Sequence, residues 1–282
     1  ISGNQGLVAW YDFEKTTADL SENHLDAAIA GNNQFVSGRY GKSALQFDGT
    51  SNYMRIPASA VNLSQTTIAV WIFNPGTIAE NSHLFDFGSD ATHNAALSLN
   101  QSGEIVMTLK NGEQSQTISA GTLPEGWHHL ALTIGMDATT IYVDGEAKGT
   151  STPTTIRLSD IRPICNYIGC GQDNSTPLMN GYIDDLRIYN YELTLSEITE
   201  LIESAGTNVN AEDTWTPPVA PGKPLHNIGT AEIVYLYNVD ADAFVTYGMD
   251  WNAKALAQRL SKGDKSLDNR FRVKVHKLAG NK

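Results

Sequence analysis

Carboxylates and imidazoles can transfer a proton or hold a cation, and in this sequence they gather in a few short stretches. Asp12 and Glu14 stand two apart at the end of a run with strand periodicity, Leu7–Glu14. On a strand, residues i and i+2 share a face, so the pair has the spacing of a retaining glycosidase's acid and nucleophile, whose carboxyl groups lie about 5–5.5 Å apart. Lys15 is adjacent and no third partner follows, which argues against catalysis there. Asp184 and Asp185 are neighbours and must face opposite ways. There is no G-x-S-x-G elbow, and neither Cys165 nor Cys170 is near a histidine in sequence, so nucleophilic catalysis has no support. His128 and His129 alternate across a strand and cannot ligate one metal from it. One is expected in the core and one at the surface.

A hard cation fits the carboxylates better. Calcium takes several oxygen ligands at about 2.3–2.6 Å, and Glu14, Asp19 and Asn23 offer such oxygens around the loop after the first strand. The same residues would also serve as a solvated acidic loop over a sheet edge. Asp240 and Asp242 have the start of an EF-hand loop, but Val245 and Trp251 stand where glycine and glutamate belong. Trp10, Trp71 and Trp127 are flanked by apolar residues and are expected in the core. The polar stretches His83–Asn94 and Gln172–Asn180 offer hydrogen-bonding groups to a glycan.

These residues must be positioned by strands. Period-two runs rich in Val, Ile, Thr and aromatics span Leu7–Glu14, Ser43–Phe47, Tyr53–Ile56, Thr67–Phe73, His83–Phe87, Ala96–Leu99, Ile105–Leu109, Trp127–Ile134, Thr140–Val143 and Tyr182–Tyr189. Asp144-Gly145 and Asn111-Gly112 are hairpin turns by residue type. No helices lie between the strands, so no crossover exists for a parallel sheet. The expected class is all-β, a two-sheet antiparallel sandwich. One helix follows, from Thr194 to Ser204. Thr194 and Glu197 have capping-box spacing, Leu195, Ile198, Leu201 and Ile202 make an apolar stripe, and Gly206 stops it. It is expected to close the sandwich.

Composition sets the limits. The 282 residues are 41% hydrophobic and 18% charged, enough for a real core, and no apolar run reaches the length of a helical membrane span. A net charge of −12 argues against nucleic acid or an anionic membrane as partner. Two cysteines exclude a disulfide scaffold, and both are expected as free, buried thiols. The first unit is expected at 1–206, a proline-rich linker with Pro217, Pro218, Pro221 and Pro224 at 207–227, and a small β-rich module at 228–282. That last segment carries a net +3 beside −15 for the rest. It is expected either to dock on another surface or to begin a longer module. The chain opens on Ile1 with no leader pattern, so it is expected to be a processed product.

Seven blocks then carry a resemblance: 6–14, 19–23, 38–49, 68–72, 126–131, 142–145, and Gly181-Tyr182-Ile183-Asp184-Asp185-Leu186-Arg187-Ile188-Tyr189-Asn190. In this order across about 200 residues, they resemble the bacterial laminin-G-like jelly roll of the concanavalin A-like lectin/glucanase superfamily. The resemblance implies two curved antiparallel sheets and a non-catalytic module of a secreted or cell-surface bacterial protein that binds a glycan or a surface protein. It also implies a structural calcium, with the last strand bringing Asp184 beside Glu14, Asp19 and Asn23. The usual glycine of that loop is missing here. The enzyme alternative is a glucanase-type hydrolase, but no strand carries the superfamily's E-x-D-x-x-E. The stretches 235–238 and 248–251 resemble small modules of bacterial glycan-utilisation proteins.

Overall fold

The computed structural model describes residues 5–203, apart from positions 33, 78, 80, 101 and 174, and the backbone of 204–207 and of two short later strands. The chain divides into two units, Ile1–Glu212 and Asp213–Lys282. In the first unit the strands are β1 (Leu7–Tyr11), β2 (Ala28–Ala30), β3 (Gln34–Ser37), β4 (Ser43–Asp48), β5 (Tyr53–Ile56), β6 (Thr66–Asn74), β7 (Ser82–Asp90), β8 (His93–Leu99), β9 (Glu104–Asn111), β10 (Gln114–Thr122), β11 (Gly126–Ile134), β12 (Thr139–Val143), β13 (Glu146–Ser151), β14 (Cys165–Ile168) and β15 (Asn180–Tyr189). Two helices interrupt or follow them, α1 (Leu158–Ile161) and α2 (Leu195–Thr207).

The strands form two antiparallel sheets, the expected jelly-roll sandwich. One has the order β13-β12-β11-β6-β15-β4-β3, with β1 pairing to β15. The other runs β10-β9-β8-β7-β14-β5-β2. Alternate residues of each strand fill the space between the sheets: Ile68, Val70 and Ile72 on β6, Leu130, Leu132 and Ile134 on β11, Phe85 and Phe87 on β7, Ile105, Met107 and Leu109 on β9. Each such side chain contributes about 1.5–3 kcal/mol by leaving water. The intervening residues point away from the core, and two outer faces result.

The Asp144-Gly145 turn has positive φ at both positions, 51° and 81°, as a tight hairpin between β12 and β13 requires. The first strand is shorter than its periodicity predicts. It ends at Tyr11, because Phe13 and Lys15 take left-handed backbone angles of 56° and 59°.

Helix α2 starts with the expected capping box. Glu197 N–H donates to Thr194 Oγ1 at 3.3 Å, and Thr194 N–H donates to Glu197 Oε2 at 2.7 Å. Ile198 and Leu201 pack on the outer face of the eight-stranded sheet, against Ala69, Ala131 and Tyr189. Ala69 and Ala131 are cross-strand partners, and their small side chains leave room for the helix. In the second unit, β16 (Tyr235–Asn238) and β17 (Ala243–Thr246) form an antiparallel pair. The expected strand at 270–277, the EF-hand comparison at Asp240, and the docking of the tail lie outside the described residues.

Candidate functional site

The outer face of the seven-stranded sheet carries a polar cluster built on β7. Residues three apart on a strand normally face opposite sides. Between His83 and Phe85, however, β7 slips register against β8, and this bulge turns His83 to the side of Asp86. Asp86 is 1% exposed, and three neighbours hold it. Asn94 Nδ2 donates to Oδ1 at 2.9 Å, the Gln172 backbone N–H donates to Oδ2 at 3.0 Å, and His83 Nδ1 lies 3.1 Å from Oδ2. Gln172 Nε2 also donates to the carbonyls of Asp86 and Cys165, at 3.0 and 2.7 Å. Gly171 and Gln172 are thereby strapped across the face. The strap lies close: a Cβ at Gly171 would come within 2.7 Å of His83 Nδ1.

Cross-strand register gives the cluster its shape. One row across the face reads Thr108, Ala96, Asp86, Tyr167, Arg55, and the next reads Lys110, Asn94, Gly88, Cys165. The central positions hold small side chains, Ala96 and Gly88, while the flanks hold Thr108 and Lys110 on one side and Tyr167 and Arg55 on the other. The register thus sets Asn94 and Asp86 along a line of small side chains between two flanks of larger ones. Glycine is required at 88, where a Cβ would lie 2.5 Å from His93 O and 2.6 Å from Asn94 Cβ. Tyr167 is held edge-on by Tyr53 at 5.7 Å, with the Arg55 guanidinium 5.5 Å from its ring centre.

This line is not fully satisfied. Asn94 is 6% exposed and its Oδ1 has no partner, although a buried unmade acceptor costs about 1–3 kcal/mol. An O–H donor could reach it only by displacing the groups that cover it. Beneath the strap, Cys170 is a free thiol pushed up to about 12 by burial and then by the Asp86 charge, so it is no nucleophile at neutral pH. Cys165 is also free and is half-buried rather than buried.

The residues singled out for calcium lie elsewhere and are occupied. Asp19 is 2% exposed, and its two oxygens accept four hydrogen bonds: from Trp10 N–H and Ser21 N–H at Oδ1, and from Ser21 Oγ and Leu25 N–H at Oδ2. That saturates the lone pairs a cation would need. Asn23 turns its Nδ2, a donor, to Val8 O. Glu14 Oε1 accepts Lys42 N–H and Ser43 N–H, and Asp184 Oδ2 accepts Arg39 N–H and Tyr40 N–H, both at 2.8 Å. Glu14 and Asp184 thus meet the 39–43 turn, while Asp19 and Asn23 brace β1. Burial raises the Asp184 carboxyl to about 8. Among the described residues no three His, Cys, Asp or Glu side chains gather around a common point. As placed, the four do not fit a calcium ion.

The other singled-out residues also have internal roles. Asp12 and Glu14 do not form a facing pair on a strand, since β1 ends before them and the Glu14 carboxylate caps the 42–43 turn. His129 is buried edge-on to Trp71, with ring centres 5.3 Å apart, and His128 pairs with Asp144 at 2.7 Å, so neither is a free surface group. Trp10 donates Nε1–H to Asp185 at 2.6 Å, and Trp71 is buried beside Tyr40. Trp10 is half-buried rather than in the core, with the Arg187 guanidinium 4.5 Å from its ring centre, and Trp127 likewise departs from the expected core position. The latter is half-buried on the outer face, 5.5 Å from Phe73. The Asp86 cluster itself draws on both polar stretches flagged in the sequence. What the sequence did not reveal is the bulge and the strap that bring them together.

Comparison with known proteins supports the fold. Residues 48–199 match the family description of the concanavalin A-like lectin/glucanases superfamily. No curated protein matches the chain. Domain 4 of AbnA, a GH43 extracellular arabinanase from Geobacillus stearothermophilus solved with arabinotriose, is similar at TM-score 0.58 and 22% identity, over 69% of this chain and 97% of that one. The binding domain of botulinum neurotoxin serotype D/C is similar at TM-score 0.59 and 17% identity, over 71% of this chain and 52% of that one. The binding domain of Paraclostridial Mosquitocidal Protein 1 gives TM-score 0.55 at 18% identity, over 71% and 52%. The chain therefore spans about half the length of these toxin domains. At such identities the likeness is one of fold, and with the family match over more than half of the chain it leads to one conclusion: this chain belongs to the concanavalin A-like lectin/glucanase superfamily, through a laminin-G-like jelly roll.

Proposed function

We propose that the jelly roll is a non-catalytic carbohydrate-binding module of a secreted or cell-surface bacterial protein, and that its ligand lies in a trough along Asn94 and Asp86. The observation behind this reading is the trough floor, where a buried amide with an unmade acceptor lies beside a buried carboxylate, flanked on one side by a tyrosine ring that an arginine packs against. Planar amides and guanidinium groups match the paired hydroxyls of a sugar, and a tyrosine beside them offers an apolar surface to the ring carbons. The arabinanase domain solved with arabinotriose and the extracellular nature of that enzyme support the same reading. So does a neurotoxin binding domain solved with SialylT.

No calcium bridges the sugar in this reading, because Asp19 is saturated by the chain itself and Glu14, Asn23 and Asp184 are each engaged with backbone groups. Two or three hydroxyl hydrogen bonds and one ring contact, at about 0.5–1.5 kcal/mol each, sum to at most about 6 kcal/mol, so the Kd should be no tighter than roughly 0.05 mM. A glycan array read with and without chelator tests the class of ligand. Binding of at least one glycan family, unchanged by chelator and weakened by Thr108→Trp, which fills the trough from a half-buried strand position, is the expected outcome. An array without hits, together with capture of a protein ligand, would favour an adhesion module instead.

A further inference from the structure

We propose a second carbohydrate site on the opposite side of the sandwich, at the end of the eight-stranded sheet that α2 leaves open. It rests on the reading of this chain as a glycan binder, but a different set of residues carries it. Helix α2 covers the Ala69/Ala131 half of that face. In the other half, a register row crosses four strands as Gln46, Tyr182, Phe73 and Trp127. The three rings are in contact and all half-buried. Phe73 and Tyr182 stack at 4.9 Å and 13°, and Trp127 meets Phe73 at 62°.

One pleat beyond this row, the cross-strand partners Asp48 and Asn180 wall a cavity of about 520 Å³, completed by Gly49, Gly76, Thr77 and Leu178. Asn180 and Tyr182 are two apart on β15, and Asp48 and Gln46 two apart on β4, so the cavity and the row share one face. The side chains of Asn180 and Tyr182 have no hydrogen-bond partner among the described residues.

The charge selects the ligand class. Asp48 is the ionisable group of the lining, and hydrogen bonds from Ser51 and Thr50 hold it well below the usual carboxylate range. Glu125 reaches the Gly76 side of the cavity. An acidic rim rejects anions, and an apolar ring edge beside unpaired amide and hydroxyl groups suits a neutral sugar ring. Two sites on opposite outer faces cannot grip the same stretch of glycan. One chain would therefore bridge two glycan molecules, and cross-linking would raise avidity without new contacts.

The test uses the full chain and a panel of neutral trisaccharides (arabinotriose, xylotriose and maltotriose), with stoichiometry read by calorimetry and the Trp127 indole N–H followed by NMR. Two molecules bound per chain, reduced to one by either Thr108→Trp or Thr77→Trp, with the Trp127 resonance moving in the first variant and silent in the second, is the expected result. Asn180→Ala should weaken only the second site, by about 3–10-fold, as loss of one hydrogen bond requires. One molecule per chain, lost with Thr108→Trp and untouched by Thr77→Trp, overturns the second site and leaves the trough intact. One molecule per chain lost only with Thr77→Trp or Asn180→Ala upholds this site and removes the trough. No trisaccharide binding to the folded chain refutes both.

Discussion

His83 and Asp86 lie three residues apart on one strand and still face the same side of the sheet, with Nδ1 and Oδ2 3.1 Å apart. Only the extra residue of the bulge makes this possible. The contact anchors the strap, because the same carboxylate oxygen accepts Gln172 N–H. Asp86 is thus both floor of the trough and fastening for its cover.

Asp86→Ala should therefore be costly. It leaves the Asn94 amide, the Gln172 N–H and the His83 ring without their acceptor in a buried setting, a loss of about 2–4 kcal/mol. Urea unfolding measures it. A loss below about 0.5 kcal/mol would show that the cluster is solvated rather than sealed.

Calcium should not stabilise this protein. Ion binding to the native state alone would add about 2.7 kcal/mol at a hundredfold excess over Kd, but the oxygens of Asp19 already hold four protein donors. Melting temperatures in calcium and in chelator should coincide within a degree. Asp19→Ala should cost about 2–4 kcal/mol in both, since it orphans those donors. A chelator-induced drop of several degrees, abolished by Asp184→Ala, would restore the metal site.

Stability should depend on pH through His129. Burial against Trp71 lowers its pKa to about 4, against an ordinary value near 6.5. The unfolded chain then binds the proton more tightly, so His129 stabilises fully above about pH 6.5 and that contribution is lost as pH falls toward 4, by about 2–3 kcal/mol. Asp184, raised to about 8 by burial, has the opposite sign and weakens the fold as pH rises from about 4 to 8. The difference between wild type and His129→Phe isolates the histidine. It should shift in favour of the variant between pH 6.5 and 4.5. A difference independent of pH would show that the imidazole reaches water.

The architecture was legible wherever strands alternate over a buried face. All ten strands read from period two are present, as are the capping box of α2 and the Asp144-Gly145 turn. Five strands were not read from the sequence: β2, β3, β10 and β13 are the four edges of the two sheets, while the fifth, the short β14, lies inside its sheet between β7 and β5. Edge strands meet solvent along one side and favour polar residues, so their pattern fades. In β13 no residue is buried, and Glu146, Ala147 and Lys148 are exposed. The site was legible as composition but not as geometry. Both polar stretches were visible, yet the residue that joins them, Asp86, lies in a run that reads as ordinary strand, and a one-residue bulge has no sequence signature here. The residues read as calcium ligands turn out to engage protein partners, for a related reason. Spacing shows which oxygens are near in the chain, not which backbone N–H groups reach them first.

Where a glycan touches this sandwich is read directly by backbone amide shift mapping. With the oligosaccharide selected on the array titrated into the full chain, the largest shifts should fall on Asn94, Ala96, Thr108, Tyr167 and Gln172, and these should weaken in Thr108→Trp while the rest of the spectrum is kept. Shifts that spare β7, β8, β9 and β14, or binding that persists undiminished in Thr108→Trp, would contradict it.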